Sequence, residues 1–226
     1  MASLMQHMKS NDELRKTMVV NIHKMLMERK LMDIFNVGLS RGEYIDLSRH
    51  DAKIIIDEDE YYARISNDVV YNNANSIIII NIEGTETYIF EVPEGMIDSK
   101  NIKKFYYDII EGYQNKNKII IFPNDLTKIP ELIEDDSVEI FKKSFFLINI
   151  IDMICSPVYH HIKAVNINIF TNEYGISNLG QLPKISIYDQ ASLYYGVKLG
   201  DMFRLIRSNK SCISIGYRIV CNINII

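Results

Sequence analysis

Apolar residues near the start of the chain fall on one side of a helix. Leu14, Met18, Ile22, Met25 and Met32 share a stripe, with Arg15, Lys16, Lys24 and Arg29 largely off it. Ser10 and Glu13 stand at the spacing of a capping box, in which each satisfies a backbone donor of the other. The pattern predicts a surface helix over about residues 11–32. Its methionines read as core packing, against the alternative of a promiscuous binding groove. Gly38 and Gly42 then open a polar stretch through Asp57-Glu58-Asp59-Glu60. Four successive acids point in different directions, so the run is predicted to be a solvated loop and not a metal site.

From Tyr61 to Val92 the pattern turns to strands. Ile77 to Ile80 is a β-branched run expected to be buried on both faces, and Thr87 to Val92 is a second strand after a turn at Glu83-Gly84-Thr85-Glu86. Ser99 is the expected cap of a helix whose apolar face is Ile102, Phe105, Tyr106, Ile109, Ile110 and Tyr113. A strand over Lys118–Phe122 closes at Pro123-Asn124, a short helix follows near Asp125–Ile133, and another strand near Val138–Phe141. Alternating strands and helices predict an α/β layer with parallel crossovers, a mixed sheet with flanking helices.

The last part reads as a small α+β unit. Lys184-Ile185-Ser186-Ile187 alternates like a half-buried strand. Asp189 is a candidate N-cap for a helix over Ala191–Tyr195, and Gly196 a candidate left-handed C-cap. Gly200 supplies a tight turn. Met202–Arg207 and Ile213–Val220 form two strands joined at Ser208-Asn209-Lys210-Ser211.

With 226 residues, the chain has room for one large domain or two small ones, with a core in each. Its formal charge of -4 is unevenly placed. From Ile151 onward seven Lys and Arg face four acids, leaving 18 basic and 25 acidic residues before that point. Neither part carries the charge that tight autonomous DNA binding draws from phosphate neutralisation. Cys155, Cys212 and Cys221 form no CxxC pair, and His160 and His161 lack a second ligand pair for zinc. Gln6, His7, Lys9 and Asp12 interrupt any signal-peptide core, and no apolar run is long enough to span a bilayer. A soluble intracellular protein without membrane partners is expected.

Little in the chain points to catalysis. There is no nucleophile with a base at motif spacing, no P-loop and no dinucleotide fingerprint. A magnesium nuclease would want an acid such as Asp57 or Asp68, then Glu91 in a Glu-x-Lys pair; Val92 and Pro93 follow instead. Glu91 therefore reads as an edge or surface residue. Tyr194-Tyr195 with Lys198 and Arg207 could stack on single-stranded nucleic acid, but Tyr194 reads better as a core anchor. No cofactor and no metal are expected.

The ordered set from Leu182 to Val220 resembles a known family. Leu182-Pro183-Lys184-Ile185, Asp189, Tyr194-Tyr195-Gly196-Val197-Lys198, Gly200, Leu205-Ile206-Arg207 and Tyr217-Arg218-Ile219-Val220 are similar to the family's LPRI, DP, RYxGxxxG, KIIR and YRLV. The family is the fifth common subunit of eukaryotic DNA-directed RNA polymerases, whose C-terminal domain has an archaeal counterpart. Only the final hairpin is a residue shorter here. Arg15-Lys16-Thr17, Tyr88-Ile89-Phe90, the helix after Ser99, and Leu147-Ile148-Asn149-Ile150 with Pro157 and His160 fall in the order of the eukaryotic two-domain form.

The resemblance implies a noncatalytic polymerase subunit acting in transcription, with a jaw-like domain over residues 1–148 and an assembly domain over 149–226. It implies docking on the largest polymerase subunit, other polymerase subunits as neighbours, downstream duplex DNA met through the assembled complex, and transcription factors as further partners. The docking residues it suggests are Pro157, His160, Leu182, Pro183, Tyr194, Tyr195, Gly196, Lys198, Gly200, Arg207, Tyr217 and Arg218. A stand-alone DNA-binding or factor-binding module is the alternative, with a nuclease-fold relic behind it. Gln190 replaces the Pro of DP, Leu193 the Arg before Tyr194 and Met153 a His of the joint, while Asn166–Tyr174 is Asn-rich where the family has an amphipathic helix. Such divergence, with the bias to Ile, Asn, Lys and Tyr, fits a large DNA virus and hence host cytoplasm and virion; a cellular eukaryotic chain would be nuclear.

Overall fold

A computed structural model describes residues 10–35, 58–72, 77–93, 96, 98–123, 135, 137–153, 156–176, 178–208 and 212–222. Gly38, Gly42, Asp57, Cys155, the helix expected near 125–133, the turn at 209–211 and the side chain of Met32 lie outside the described residues. The architecture is mixed α/β, with two mixed sheets and several helices. The chain divides into two compact units, Met1–His23 with Ile56–Ile148, and Lys24–Ile55 with Asn149–Ile226. No described helix is long and apolar enough to cross a membrane.

The first helix, α1 (Asn11–Phe35), begins with the expected capping box. The Ser10 amide donates to Glu13 Oε2 at 2.6 Å, and the Glu13 amide returns a bond to Ser10 Oγ at 3.3 Å. The acidic run differs from expectation: Glu58, Asp59 and Glu60 form the first turn of α2 (Glu58–Ile65), not a loop. Negative charge at a helix N-terminus complements the free amides there. Thr17 donates to Glu58, Lys16 pairs with Asp59, and Arg64 reaches back one turn to Glu60. Tyr61 and Tyr62, expected in a strand, belong to the same helix.

The first unit contains a five-stranded sheet in sequence order: β1 (Val69–Asn72), β2 (Ile77–Ile82), β3 (Thr85–Glu91), β4 (Asn117–Phe122) and β5 (Val138–Lys142). The first three strands are antiparallel, while β3, β4 and β5 run parallel. Only Glu83 and Gly84 separate β2 from β3, with φ of 47° and 86°. A turn left-handed at both positions matches the strand twist, so the connection is tighter than the four-residue turn expected. Helix α3 (Ser99–Gly112) is the β3–β4 crossover. Its Ile102, Tyr106 and Ile109 pack with Ile77, Phe90, Ile120 and Phe122 from one face of the sheet. Ile78, Ile89 and Ile119 are buried on the opposite face. Arg15 of α1 reaches Glu91 and Tyr71 there, placing the first turns of α1 over that face. Glu91 is thus a half-buried ion-pair partner on a central strand, not an edge residue. Burial on both faces explains the unbroken isoleucine runs.

The cap of α3 is Asp98 and not Ser99: its carboxylate accepts from the Lys100 amide at 3.2 Å. Asp98→Ala is expected to lower stability by about 1 kcal/mol, and Ser99→Ala to change it far less, in urea unfolding. Equal effects would return the capping role to Ser99.

The second unit holds a four-stranded sheet in the order β6 (Val158–Ile162), β8 (Met202–Ser208), β9 (Ile213–Cys221), β7 (Lys184–Ser186). Antiparallel pairing joins β6, β8 and β9, and β7 lies parallel to β9. Helices α4 (Ile167–Tyr174) and α5 (Gln190–Tyr195) complete it. Despite its asparagines, α4 forms, because Ile167 and Phe170 bury one side and Gly175 ends it at φ 63°.

Candidate subunit-docking surface

The described residues between Lys184 and Cys221 form the strands and the helix that their pattern predicts. Asp189 is the N-cap of α5, its carboxylate accepting from the Ala191 amide at 2.9 Å. Without the family's proline, this bond fixes the helix start. Gly196 takes φ 60° and returns its amide to the Leu193 carbonyl. Tyr194 and Tyr195 are both buried. Tyr195 stacks against Tyr159 and Phe203 of the sheet, with both centroid distances 5.7 Å. Burial, reinforced by Glu28, pushes the Tyr194 phenol far above its ordinary range, so the hydroxyl stays protonated.

Two contributors to this architecture carry no short-range sequence signal. Arg29 of α1 donates from Nε to the Tyr194 carbonyl at 2.6 Å and from Nη2 to the Leu193 carbonyl at 2.7 Å. It thereby adds a second donor to the Leu193 carbonyl and supplies one to the Tyr194 carbonyl at the end of α5. Asp201, following the Gly200 turn at φ 87°, is the second. Its Oδ2 accepts from His161 Nε2 at 2.7 Å and from the Lys198 amide at 2.9 Å, and Oδ1 accepts from the Ala164 amide at 2.8 Å. Burial alone would raise this carboxyl, but the three donors hold it below its ordinary value. One carboxylate thus ties β6, the Ala164–Asn166 turn and the loop before β8 together.

The residues suggested for docking occupy several environments. Pro157 is half-buried just before β6, and His160 is half-buried on β6 opposite Arg204. Leu182 and Tyr217 pack around Ile167, Phe170 and Met202. Pro183 is exposed, and its carbonyl accepts from the Ile219 amide at 2.9 Å. Lys198 is exposed beside the Gly200 turn. Arg207 is exposed and Arg218 half-buried. Strand alternation puts Arg207 and Arg218 on one face of the sheet with Tyr159, and His160 and Tyr217 on the other. The set is therefore not one patch. Tyr194, Tyr195, Leu182 and Tyr217 build the core, and Gly196 and Gly200 set backbone geometry. Pro183, Lys198 and Arg207 present exposed surface.

Among the described residues, no group of three or more His, Cys, Asp or Glu is placed to hold a metal ion. The exposed chemistry here is charge and apolar side chains on a braced sheet, which suits recognition of another polypeptide.

Two comparisons bear on identity. Residues 148–220 match the family model described as RNA polymerase Rpb5, C-terminal domain. The chain is also 26% identical over 219 residues to the DNA-directed RNA polymerase subunit 5 of Acanthamoeba polyphaga mimivirus, covering 96% of this chain and 97% of that protein. The resemblance carried by Leu182 to Val220 falls within the matched residues 148–220, and both comparisons support an Rpb5-type subunit.

Proposed function

We propose that this protein is a noncatalytic subunit of a multisubunit DNA-directed RNA polymerase, docking through its C-terminal domain on the largest subunit. The observation that carries the reading is the Rpb5 C-terminal domain match over residues 148–220, the stretch that forms the braced β6–β8–β9–β7 sheet. The viral subunit 5, similar along nearly the whole chain, supports the same reading; a viral chain would work in host cytoplasm and the virion, a cellular one in the nucleus. Residues 1–148 serve as the jaw-like domain beside downstream DNA, and 149–226 as the assembly domain. A chain with formal charge -4 suits shaping the DNA entrance while larger subunits neutralise phosphates and perform nucleotide addition.

Affinity purification of the tagged protein from its native source, with mass spectrometry, tests this. Two very large polymerase chains in equimolar amount are expected. Recovery of the protein alone overturns the reading.

A further inference from the structure

The proposed function leaves unstated which surface of the second unit takes a partner. β9 (Ile213–Cys221) is an inner strand for only part of its length. β8 pairs with it from Ile213 to Ile219, whereas β7 covers only Ile219 to Cys221 on the other side. Pro183, just before β7, has no amide with which to carry that ladder further. Backbone groups alternate in direction along a strand, which fixes what the open side presents. The Val220 amide donates to the Asp201 carbonyl on the β8 side, and the Ile219 amide to the Pro183 carbonyl on the β7 side. Counting back along the unbroken register, Ser214 and Gly216 bond β8, while the amides and carbonyls of Ile213 and Ile215 point to the open side. No described strand lies beyond them. Their side chains are exposed as well, at 46% and 43%. Ile213 to Gly216 also contains no lysine and no proline, the residues with which a sheet edge is commonly blunted.

We infer that Ile213–Gly216 of β9 is a docking edge for an extended segment of a partner polypeptide, apolar at alternate positions. The inference rests on the polymerase-subunit reading and specifies how its partner is held. Amides and carbonyls at strand spacing are matched by the backbone of another strand, which lengthens the row that β7 begins. Alternation sets one row of the segment's side chains beside Ile213 and Ile215, where apolar residues remove both from water. The other row lies beside Ser214, Gly216 and Arg218, and an acid next to Arg218 is matched in charge. A second copy of this chain is the weaker occupant. Two such edges paired on each other would share only the short stretch from Ile213 to Tyr217, far less than the about 1,200 Å² that stable protein pairs bury.

The test uses the full chain as wild type, Ile215→Lys and Ile215→Pro, each tagged and expressed in the native source. Lysine charges the edge, and proline removes the outward amide without removing any amide of the β8 ladder. Ile215 is exposed, so Ile215→Lys is expected to keep its melting temperature within about 3 °C of wild type. Recovery of the large polymerase chains is expected to fall about tenfold or more with each variant. Amide hydrogen exchange on wild type is the second readout and decides alone where a variant does not fold. In the isolated chain the Ile213 and Ile215 amides are expected to exchange faster than those of Ser214 and Gly216. In the recovered complex they are expected to slow about tenfold or more. Undiminished recovery with either folded variant, or unchanged exchange in the complex, overturns the site and leaves the subunit reading intact. Protection of the two amides in the isolated chain also overturns it. Protection that grows with protein concentration assigns the edge to a second copy, and protection that does not assigns it to this chain's own residues. If wild type itself recovers no polymerase chain, the subunit reading fails and the site falls with it.

Discussion

Asp201→Ala is expected to destabilise the protein by about 3–5 kcal/mol, measured by urea unfolding at neutral pH. The side chain is buried and holds three donors: His161 Nε2, the Ala164 amide and the Lys198 amide. Alanine leaves all three without this acceptor, and the unmet donors cost more than the carboxylate's own net contribution. The pH dependence has a definite sign. Because the folded carboxyl titrates below its ordinary value of 3.8, its stabilisation is fully present above that value and is lost as pH falls through the folded pKa. Wild type should therefore lose stability below about pH 4, and Asp201→Ala should lose less over the same interval. A loss under about 1 kcal/mol at neutral pH, or parallel pH curves, would remove Asp201 from its bracing role.

Gly196→Ala comes next, with an expected loss of about 2–4 kcal/mol. A residue with a Cβ at φ 60° costs about 1–2 kcal/mol from backbone sterics. The added methyl would also lie 3.2 Å from Arg29 Cζ, displacing the guanidinium that holds the Leu193 and Tyr194 carbonyls. Gly200→Ala separates the two contributions. Gly200 has φ 87°, and its added Cβ meets only Ala164 at 3.9 Å, so the backbone cost of about 1–2 kcal/mol is expected alone. Combined with Arg29→Met, Gly196→Ala should lose less than it does in wild type, because the crowded group is gone. Strict additivity in this double-mutant cycle would show that Arg29 and Gly196 do not communicate.

These two sites mark where the sequence could be read and where it could not. Gly196 and Asp189 declared themselves, because helix caps are local and their residue preferences follow from backbone geometry. Isoleucine runs declared the central strands in the same way. The acid run at Glu58–Glu60 misled, since a short polar helix has no apolar stripe until tertiary partners such as Lys16 and Thr17 engage its first turn. Ser99 and Asp98 are neighbours, and composition does not decide which of two good caps the chain uses. Arg29 and Asp201 were invisible as bracing residues, because their partners include groups 164 and 40 positions away. The suggested docking residues were legible as a family pattern, but only the folded chain separated the core members, Tyr194 and Tyr195, from the exposed Arg207 and Lys198.

The grip of Arg29 on Leu193 and Tyr194 has a consequence for the order in which the chain matures. A protein made from its N-terminus presents Arg29 early, long before the carbonyls it will bind have been synthesised. The unit containing Met1–His23 and Ile56–Ile148 is complete in sequence once Ile148 has emerged. The other unit must wait for its C-terminal strands before α5 can receive the arginine, so its closure is a late, long-range step. On the ribosome the five-stranded unit is thus ready first, and the four-stranded unit closes last.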